Sequence, residues 1–378
     1  MKRHWQYKIF LLCLAILYGL PGMSQETRLS KRIDRTFEVT DRLNLEIINK
    51  YGNVAIETGP GHEVVVKIEI LAIGKDENSA EKLMNRVEFD FKHSSDFIEV
   101  ESVFDRKKSF FKDLINAVGD YSASLLSNHK LQVNYELTIP ESAASVTIVN
   151  RFGDVRVADM DARLNLTVAH GNIKVNQIQN YSRINLNYGI AKIKVANESS
   201  INLKGAELEL QHVQKLNLKS SSSKARIGTM NSADIQSTND QISIEEVRDI
   251  SGDADFTDMK IGLLTESCRL NQNYGGLEIK VIYADFKSVR LNGKSTDYTL
   301  YFTKDAHFEL NIYARDDKLN LTDFPGQIEK RYMDERTKFV SVKGDTGNGG
   351  GERRLNIDAQ NGEVNIGFKS VASEAYNK

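Results

Sequence analysis

Residues 164–218 read LNLTVAHGNIKVNQIQNYSRINLNYGIAKIKVANESSINLKGAELELQHVQKLNL. One short phrase recurs here: an apolar residue, a polar one, then an apolar one. It stands as Leu164-Asn165-Leu166, Ile184-Asn185-Leu186, Ile201-Asn202-Leu203 and Leu216-Asn217-Leu218. Looser copies begin at Ile235, Ala254, Leu270 and Leu291, so the eight starts recur every 18 residues or so. A second phrase follows each time, a turn residue and then apolar residues at alternate positions. Examples are Gly153 before Val155 and Val157, Gly171 before Ile173 and Val175, and Gly205 before Leu208 and Leu210. Asp240 before Ile242 and Ile244, and Gly275 before Leu277 and Ile279, continue the series. Alternation of period 2 marks a strand with one buried face. The Gly, Asn or Asp ahead of it supplies the positive φ of a sharp corner.

A unit of about 18 residues with two short strands cannot bury its own apolar face, but stacked copies can. The pattern therefore predicts an all-β fold, a parallel β-helix or β-solenoid of about 18 residues per coil. Prolines are few, four in the whole chain, as a ladder paired on both sides requires. A sandwich also places strands every 8–12 residues, yet nothing obliges its strands to repeat one phrase in register. The recurring asparagines read as an outward position where stacked amides bond along the array; the alternative is a polar ladder that binds sugar.

The open ends of such an array need covering. At the N-terminal side the repeat phrase is already present in Leu43 to Ile47, followed by Tyr51-Gly52 and Val54 to Ile56. Asn78 to Glu81 has capping-box spacing and predicts a short helix to about Arg86. Phe110, Phe111, Leu114, Ile115, Val118, Tyr121, Leu125 and Leu126 recur at helical spacing and predict an amphipathic helix over 109–127. It reads as a cap on the array, with a membrane-surface or partner-docking helix as the alternative because Lys107, Lys108 and Lys112 lie at one end. After Leu291 the period loosens into wider strands around Tyr298 to Phe302 and Phe308 to Ile312. A Gly-rich tip, Gly344 to Gly351, is expected to join Lys338–Lys343 to Arg354–Asp358 in a hairpin, and it lacks the Lys-Ser/Thr of a phosphate loop. The organisation expected is 1–24 leader, 25–145 β-rich α+β cap region, 146–300 repeats and 301–378 wider strands with a terminal hairpin.

Residues 1–24 hold Lys2, Arg3 and Lys8, then the apolar run from Ile9 to Leu20, then Gly22 and Ser24 before Gln25. This is the pattern of a cleavable secretory signal, and the run is shorter than the roughly 20 residues of a spanning helix. Cys13 lies inside the apolar run behind Leu11 and Leu12, which argues against a lipid anchor. Removing the leader takes the formal charge from −2 to −5 and removes Trp5, the one Trp of the 378 residues. That balance argues against a nucleic-acid partner, and the remaining windows predict no membrane span.

Candidate chemistry is sparse. Cys268 is the one cysteine left after the leader; it reads as a small buried residue rather than a thiol served by His212 or His307. Asp253, Asp255 and Asp258 could place two carboxylates on one strand face, but a Ca²⁺ loop would offer more oxygens around a fixed Gly. Glu245, Glu246 and Asp249 read as corner charges. No His-x-His or His-x3-His spacing supports zinc. The expectation is no catalytic, cofactor-binding or metal residues and no cofactor; paired carboxylates for glycoside hydrolysis are the open alternative.

Phe37 to Val39, Leu45 to Ile56 with Asn49-Lys50-Tyr51-Gly52, Tyr135 to Pro140 and Asn150-Arg151-Phe152-Gly153 resemble the putative-adhesin, β-strand-repeat family of exported bacterial envelope proteins, related to the GIN-type auto-transporter adhesin head domain. The resemblance spans most of the chain beyond the leader. It implies a single-stranded right-handed β-helix and a Gram-negative address, periplasm or outer cell surface, and carries no catalytic residue across. The leading expectation is a non-enzymatic, adhesin-like or scaffolding protein that binds protein or glycan at the cell envelope. Two alternatives are a carbohydrate-active lyase or hydrolase and a periplasmic sensory component partnering an inner-membrane protein.

Overall fold

The computed structural model describes residues 26–104, 130–321, 323–347 and 352–370. The leader, the helix expected over 109–127 and part of the Gly-rich tip lie outside them. Strand dominates the described residues, so the chain is all-β as the alternation requires. It divides into two compact units.

The smaller unit comprises Met1–Lys31, Ile70–Glu88 and Phe104–Gln132. Its helix runs Glu77–Met84. Asp76, in extended conformation, caps it by accepting a hydrogen bond from the Ser79 N–H at 2.7 Å. The cap thus falls two residues before the expected Asn78, because a carboxylate at Asp76 reaches the free N–H groups of the first turn. Gly74 precedes it, where a Cβ would lie 2.4 Å from the Ala80 nitrogen.

The larger unit comprises Arg32–Glu69, Phe89–Val103 and Val133–Lys378. Its strands pair in parallel at intervals of 17 or 18 residues: Leu164 with Ser182, Ser182 with Ser199, Ser199 with Leu216, Leu216 with Ala233, and Ala233 with Ile250. Each rung consists of one strand, a corner and a second strand. Leu166, Ile184, Ile201, Leu218 and Ile235 form one inward column, all fully buried. Val157, Val175, Ile193, Leu210, Ile227 and Ile244 form another on the second strand. Full burial of each such side chain stabilises by about 1.5–3 kcal/mol, offset by chain ordering.

Two features depart from the sequence pattern. The Leu-Asn-Leu phrases are not all in register: Leu166, not Leu164, pairs with Ile184, and Leu216 pairs with Ser199. A strand shifted by two residues shows the same alternation, so the inward set survives the shift. Second, the sheet is mixed rather than wholly parallel. Glu309–Arg315 runs antiparallel to Phe339–Asp345, which runs antiparallel to Gln327–Asp334. The connection between the last two is a tight turn, too short for the crossover that a parallel pair needs.

Rung order also leaves chain order at both ends. Arg354–Gln360 lies between Ser288–Thr303 on one side and Glu309–Arg315 on the other. Val364–Lys369 likewise lies between the second half of Ser288–Thr303 and Leu319–Leu321. The expected hairpin of Lys338–Lys343 with Arg354–Asp358 is therefore absent; Glu309–Arg315 separates them. At the N-terminal side Asn44–Tyr51 stands between Phe97–Phe104 and Ser145–Phe152, so the rung at 44–57 continues 101 residues later.

Candidate functional site

From His170 onward the repeating rungs turn from the first strand to the second through one residue with left-handed backbone, whereas at Tyr51 and Phe152 the positive φ falls on the following Gly52 and Gly153. His170, Tyr188, Gly205, Ser222, Asn239, Phe256, Tyr274, Ser295 and Asn361 have φ between 52° and 68°, save Phe256 at 51°. The aromatic members stack from rung to rung. Tyr51 lies on Phe152 (centroids 5.6 Å, planes 14° apart), Phe152 on His170 (5.2 Å, 11°) and His170 on Tyr188 (5.1 Å, 8°). Phe256 lies on Tyr274 at 4.8 Å and 9°. Coplanar rings would overlap at such separations, so the rings meet face to face. A ladder spacing of about 4.8 Å between strands sets this repeat.

Glycine follows the ring in most of these corners for a steric reason. A Cβ on Gly171 would sit 2.0 Å from the carbonyl oxygen of Gly153, and one on Gly189 equally close to that of Gly171. Beneath two of them a buried asparagine takes up the corner carbonyls. Asn49 Nδ2 donates to the Gly52 and Val133 oxygens, and Asn150 Nδ2 to the Gly52 and Gly153 oxygens, at 2.9–3.3 Å.

Between Tyr188 and Phe256 the corner residues are Gly205, Ser222 and Asn239, and the interior changes with them. Leu203 gives way to Ser220 and Ser237 in the inward column, and Asp240 enters from the corner, 4 % exposed. One Asp240 carboxylate oxygen accepts from Ser223 N–H at 2.6 Å. The other accepts from the Ser220 and Ser237 hydroxyls, both at 2.6 Å, and from Thr238 N–H at 3.1 Å. Four donors make this buried carboxylate a fully bonded floor rather than an open site. Above it lies a shallow depression of about 650 Å³, walled by Phe256 and rimmed by Glu207, Lys224, Gln241 and Asp258.

The outward face of the first strand is polar and ordered. Asn202 Nδ2 donates to Asn185 Oδ1 at 2.7 Å, and Asn185 to Thr167 Oγ1 at 3.3 Å. Further on, Asn271 donates to Asp253 at 2.8 Å, Asn292 to Asn271 at 2.9 Å, and Asn273 to Asp255 at 2.9 Å. Asn185, Lys204, Lys219, Gln236, Asp253 and Asp255 line a groove of about 870 Å³.

The residues singled out in the sequence fall as follows. Asp253 and Asp255 share one outward strand face, whereas Asp258 lies beyond the corner on the next strand. The four asparagines do not make one ladder: Asn185 and Asn202 pair, but Asn165 faces Arg183 and Asn217 faces Ser200. Cys268 is 1 % exposed, and burial pushes its thiol pKa up to about 12. His212 is exposed and bonded to Thr229 Oγ1 at 2.7 Å, and His307 is exposed as well. Glu245 and Glu246 are exposed, and Asp249 pairs with Arg248 at 3.1 Å. Among the described residues no group of three His, Cys, Asp or Glu is arranged to hold a metal. The aromatic corner was missed as a site; its signal was the recurrence of Tyr51-Gly52, Phe152-Gly153, Tyr188-Gly189 and Tyr274-Gly275.

No family model matches the chain, and no curated protein matches it. Among solved structures it is similar to a putative adhesin from Parabacteroides distasonis ATCC 8503, at 12 % identity and TM-score 0.38, over 71 % of this chain and 97 % of that one. A putative cell adhesion protein from Clostridium sporogenes ATCC 15579 aligns at 13 % identity and TM-score 0.18, over 90 % of this chain and 100 % of that one. A putative lipid binding protein, also from Parabacteroides distasonis ATCC 8503, aligns at 12 % and 0.34, over 71 % and 97 %. Likenesses this distant leave fold and function to be argued from this chain's own register and surface. Among the described residues no helix is long and apolar enough to cross a membrane.

Proposed function

We propose that this chain is an exported, non-catalytic protein of a Gram-negative envelope, a right-handed parallel β-helix over 146–300 that binds glycan through its outward amide face. The observation that carries this reading is the run Asp253, Asn271 and Asn292, bonded rung to rung beside Asn273 and Asp255. Side chains held in this way lose little freedom on binding, and each presents its remaining donors and acceptors at a fixed spacing to a polyhydroxylated chain. The leader pattern at 1–24 supports export. The purified protein is expected to bind members of a polysaccharide panel without releasing reducing ends, and N271A to weaken that binding. Release of reducing ends would move the reading to a lyase or hydrolase. Protease shaving of intact cells distinguishes the outer surface from the periplasm.

A further inference from the structure

Phe256 is 60 % exposed and Tyr274 42 %, although the pair is stacked face to face. One face of Phe256 is covered by Tyr274; the other is directed toward Asn239, the corner residue one rung before, which carries no ring and whose Nδ2 donates to the Ser222 hydroxyl at 3.3 Å, toward the preceding corner. Tyr188, 47 % exposed, has one face on His170, and its ring lies over Gly205, where a Cβ would come within 2.9 Å of it. Two aromatic platforms thus bound a stretch of three corners without rings, and the depression described above occupies that stretch.

Single exposed side chains are ordinary on a surface, but a stacked pair presents a flat face on which a further ring can stack. What surrounds them selects the ligand. On the second-strand side Glu207, Lys224 and Gln241 stand in register, and Asp258 follows one rung on. On the first-strand side are Lys204, Ser221, Thr238 and Asp255, also in register. A purely apolar ligand would strand these carboxylates, amides and amines without partners. A ring with one apolar face and a polar circumference satisfies both, and a pyranose is such a ring.

We infer that the corner between Tyr188 and Phe256 is a carbohydrate subsite, in which a pyranose ring stacks on the free face of Phe256 and so continues the aromatic ladder over Asn239. Its hydroxyls then meet Asp258 and Gln241 on one side and Thr238 and Asp255 on the other. This deepens the glycan-binding reading and rests on it, but it places the sugar at the corner rather than on the amide face alone.

The test uses the full chain with chitohexaose, xylohexaose and hexagalacturonate as probes. In a W5F background F256W supplies the only indole, and a sugar stacked there shifts its emission. Asn239→Phe puts a ring where the sugar would lie; Phe256 and Tyr274 show that the corner accepts one. The expected result is an emission shift with at least one probe, and calorimetric affinity reduced tenfold or more by F256A and by N239F, each still unfolding in one cooperative transition well above the assay temperature. Binding that N239F and F256A leave intact and N271A abolishes would overturn the corner subsite while the glycan reading stands. Binding of none of the three probes would overturn both.

Discussion

Phe256 and Tyr274 occupy equivalent corners one rung apart, with ring centroids 4.8 Å from each other and planes 9° from parallel, and both have left-handed backbones, with φ of 51° and 59°. A non-glycine residue in that region costs about 1–2 kcal/mol, and an aromatic pair returns about 0.5–1.5 kcal/mol beyond its burial. One stack thus offsets roughly the strain of one of the two residues and leaves the other's uncompensated, so a ring is tolerated in some corners while small residues take the same path in others.

Substitution by glycine therefore has a context-dependent outcome. Ser222, with φ of 52° and no ring to lose, is expected to gain about 1 kcal/mol on Ser222→Gly. Phe256→Gly is expected to stay within about 1 kcal/mol of the parent, because stack and strain disappear together. Urea unfolding of both variants checks this, and equal gains would contradict it.

Gly171→Ala should be costly. A Cβ there meets the Gly153 carbonyl oxygen at 2.0 Å and its carbon at 2.7 Å, both backbone atoms that the ladder holds in place. A loss of at least about 2 kcal/mol is expected, read as a lower denaturation midpoint at unchanged slope. A neutral result would mean that the rungs separate more readily than close glycine packing implies.

Asp240→Asn keeps the shape and changes the hydrogen bonding. Every group facing the carboxylate is a donor: two hydroxyls and two backbone N–H groups. An amide nitrogen must then point at one of those N–H groups in the interior. The expected cost is about 2–3 kcal/mol, against roughly 1 kcal/mol for Ser220→Ala, which removes one donor. Melting curves of the two variants should rank in that order.

His170 makes the fold sensitive to acid. Burial between Phe152 and Tyr188, and secondarily the Arg151 guanidinium, lower its pKa below the ordinary value. The unfolded chain takes up this proton near pH ~6.5, while the folded chain resists it. Stability from this source is complete above that pH and is lost as pH falls through the folded value. H170F keeps a ring and removes the titration. Its melting temperature should fall less than that of the parent between about pH 7.5 and about pH 5; parallel shifts would exclude His170.

Cys268 is fully enclosed, and its thiol is held neutral. Thiol reagents are expected to label it at the rate of opening and not at the rate of a free cysteine. Labelling of a Cys13→Ser chain followed across urea concentration should track unfolding; rapid stoichiometric labelling of that chain in its native state would place the Cys268 thiol at the surface.

Much of this architecture is legible in the order of residues. The alternation in Ile173 to Val175, Leu208 to Leu210 and Ile242 to Ile244 marked their inward faces, and all six of these residues are buried. The phrase Leu216-Asn217-Leu218 misled, because it matched Ile201-Asn202-Leu203 while the structure sets Leu216 against Ser199. The aromatic corner was present as a series of aromatic-glycine pairs, but its use as a surface was not visible. Gly205, Ser222 and Asn239 share no residue type with Tyr188 or Phe256, and only the register of the flanking strands and their common left-handed φ align them.

Alternation of period 2 is a property of neighbouring residues, and it determined the strand class and which side chains face inward, while the recurring phrase set the repeat length. Register and rung order had to come from the tertiary structure. A two-residue slip preserves every inward side chain, so it is excluded only by the left-handed corner stacking on the corner of the next rung. For the same reason the place of Arg354–Gln360 between Ser288–Thr303 and Glu309–Arg315 is invisible in the chain: strand pairing depends on matching edges in space, and sequence distance does not enter it.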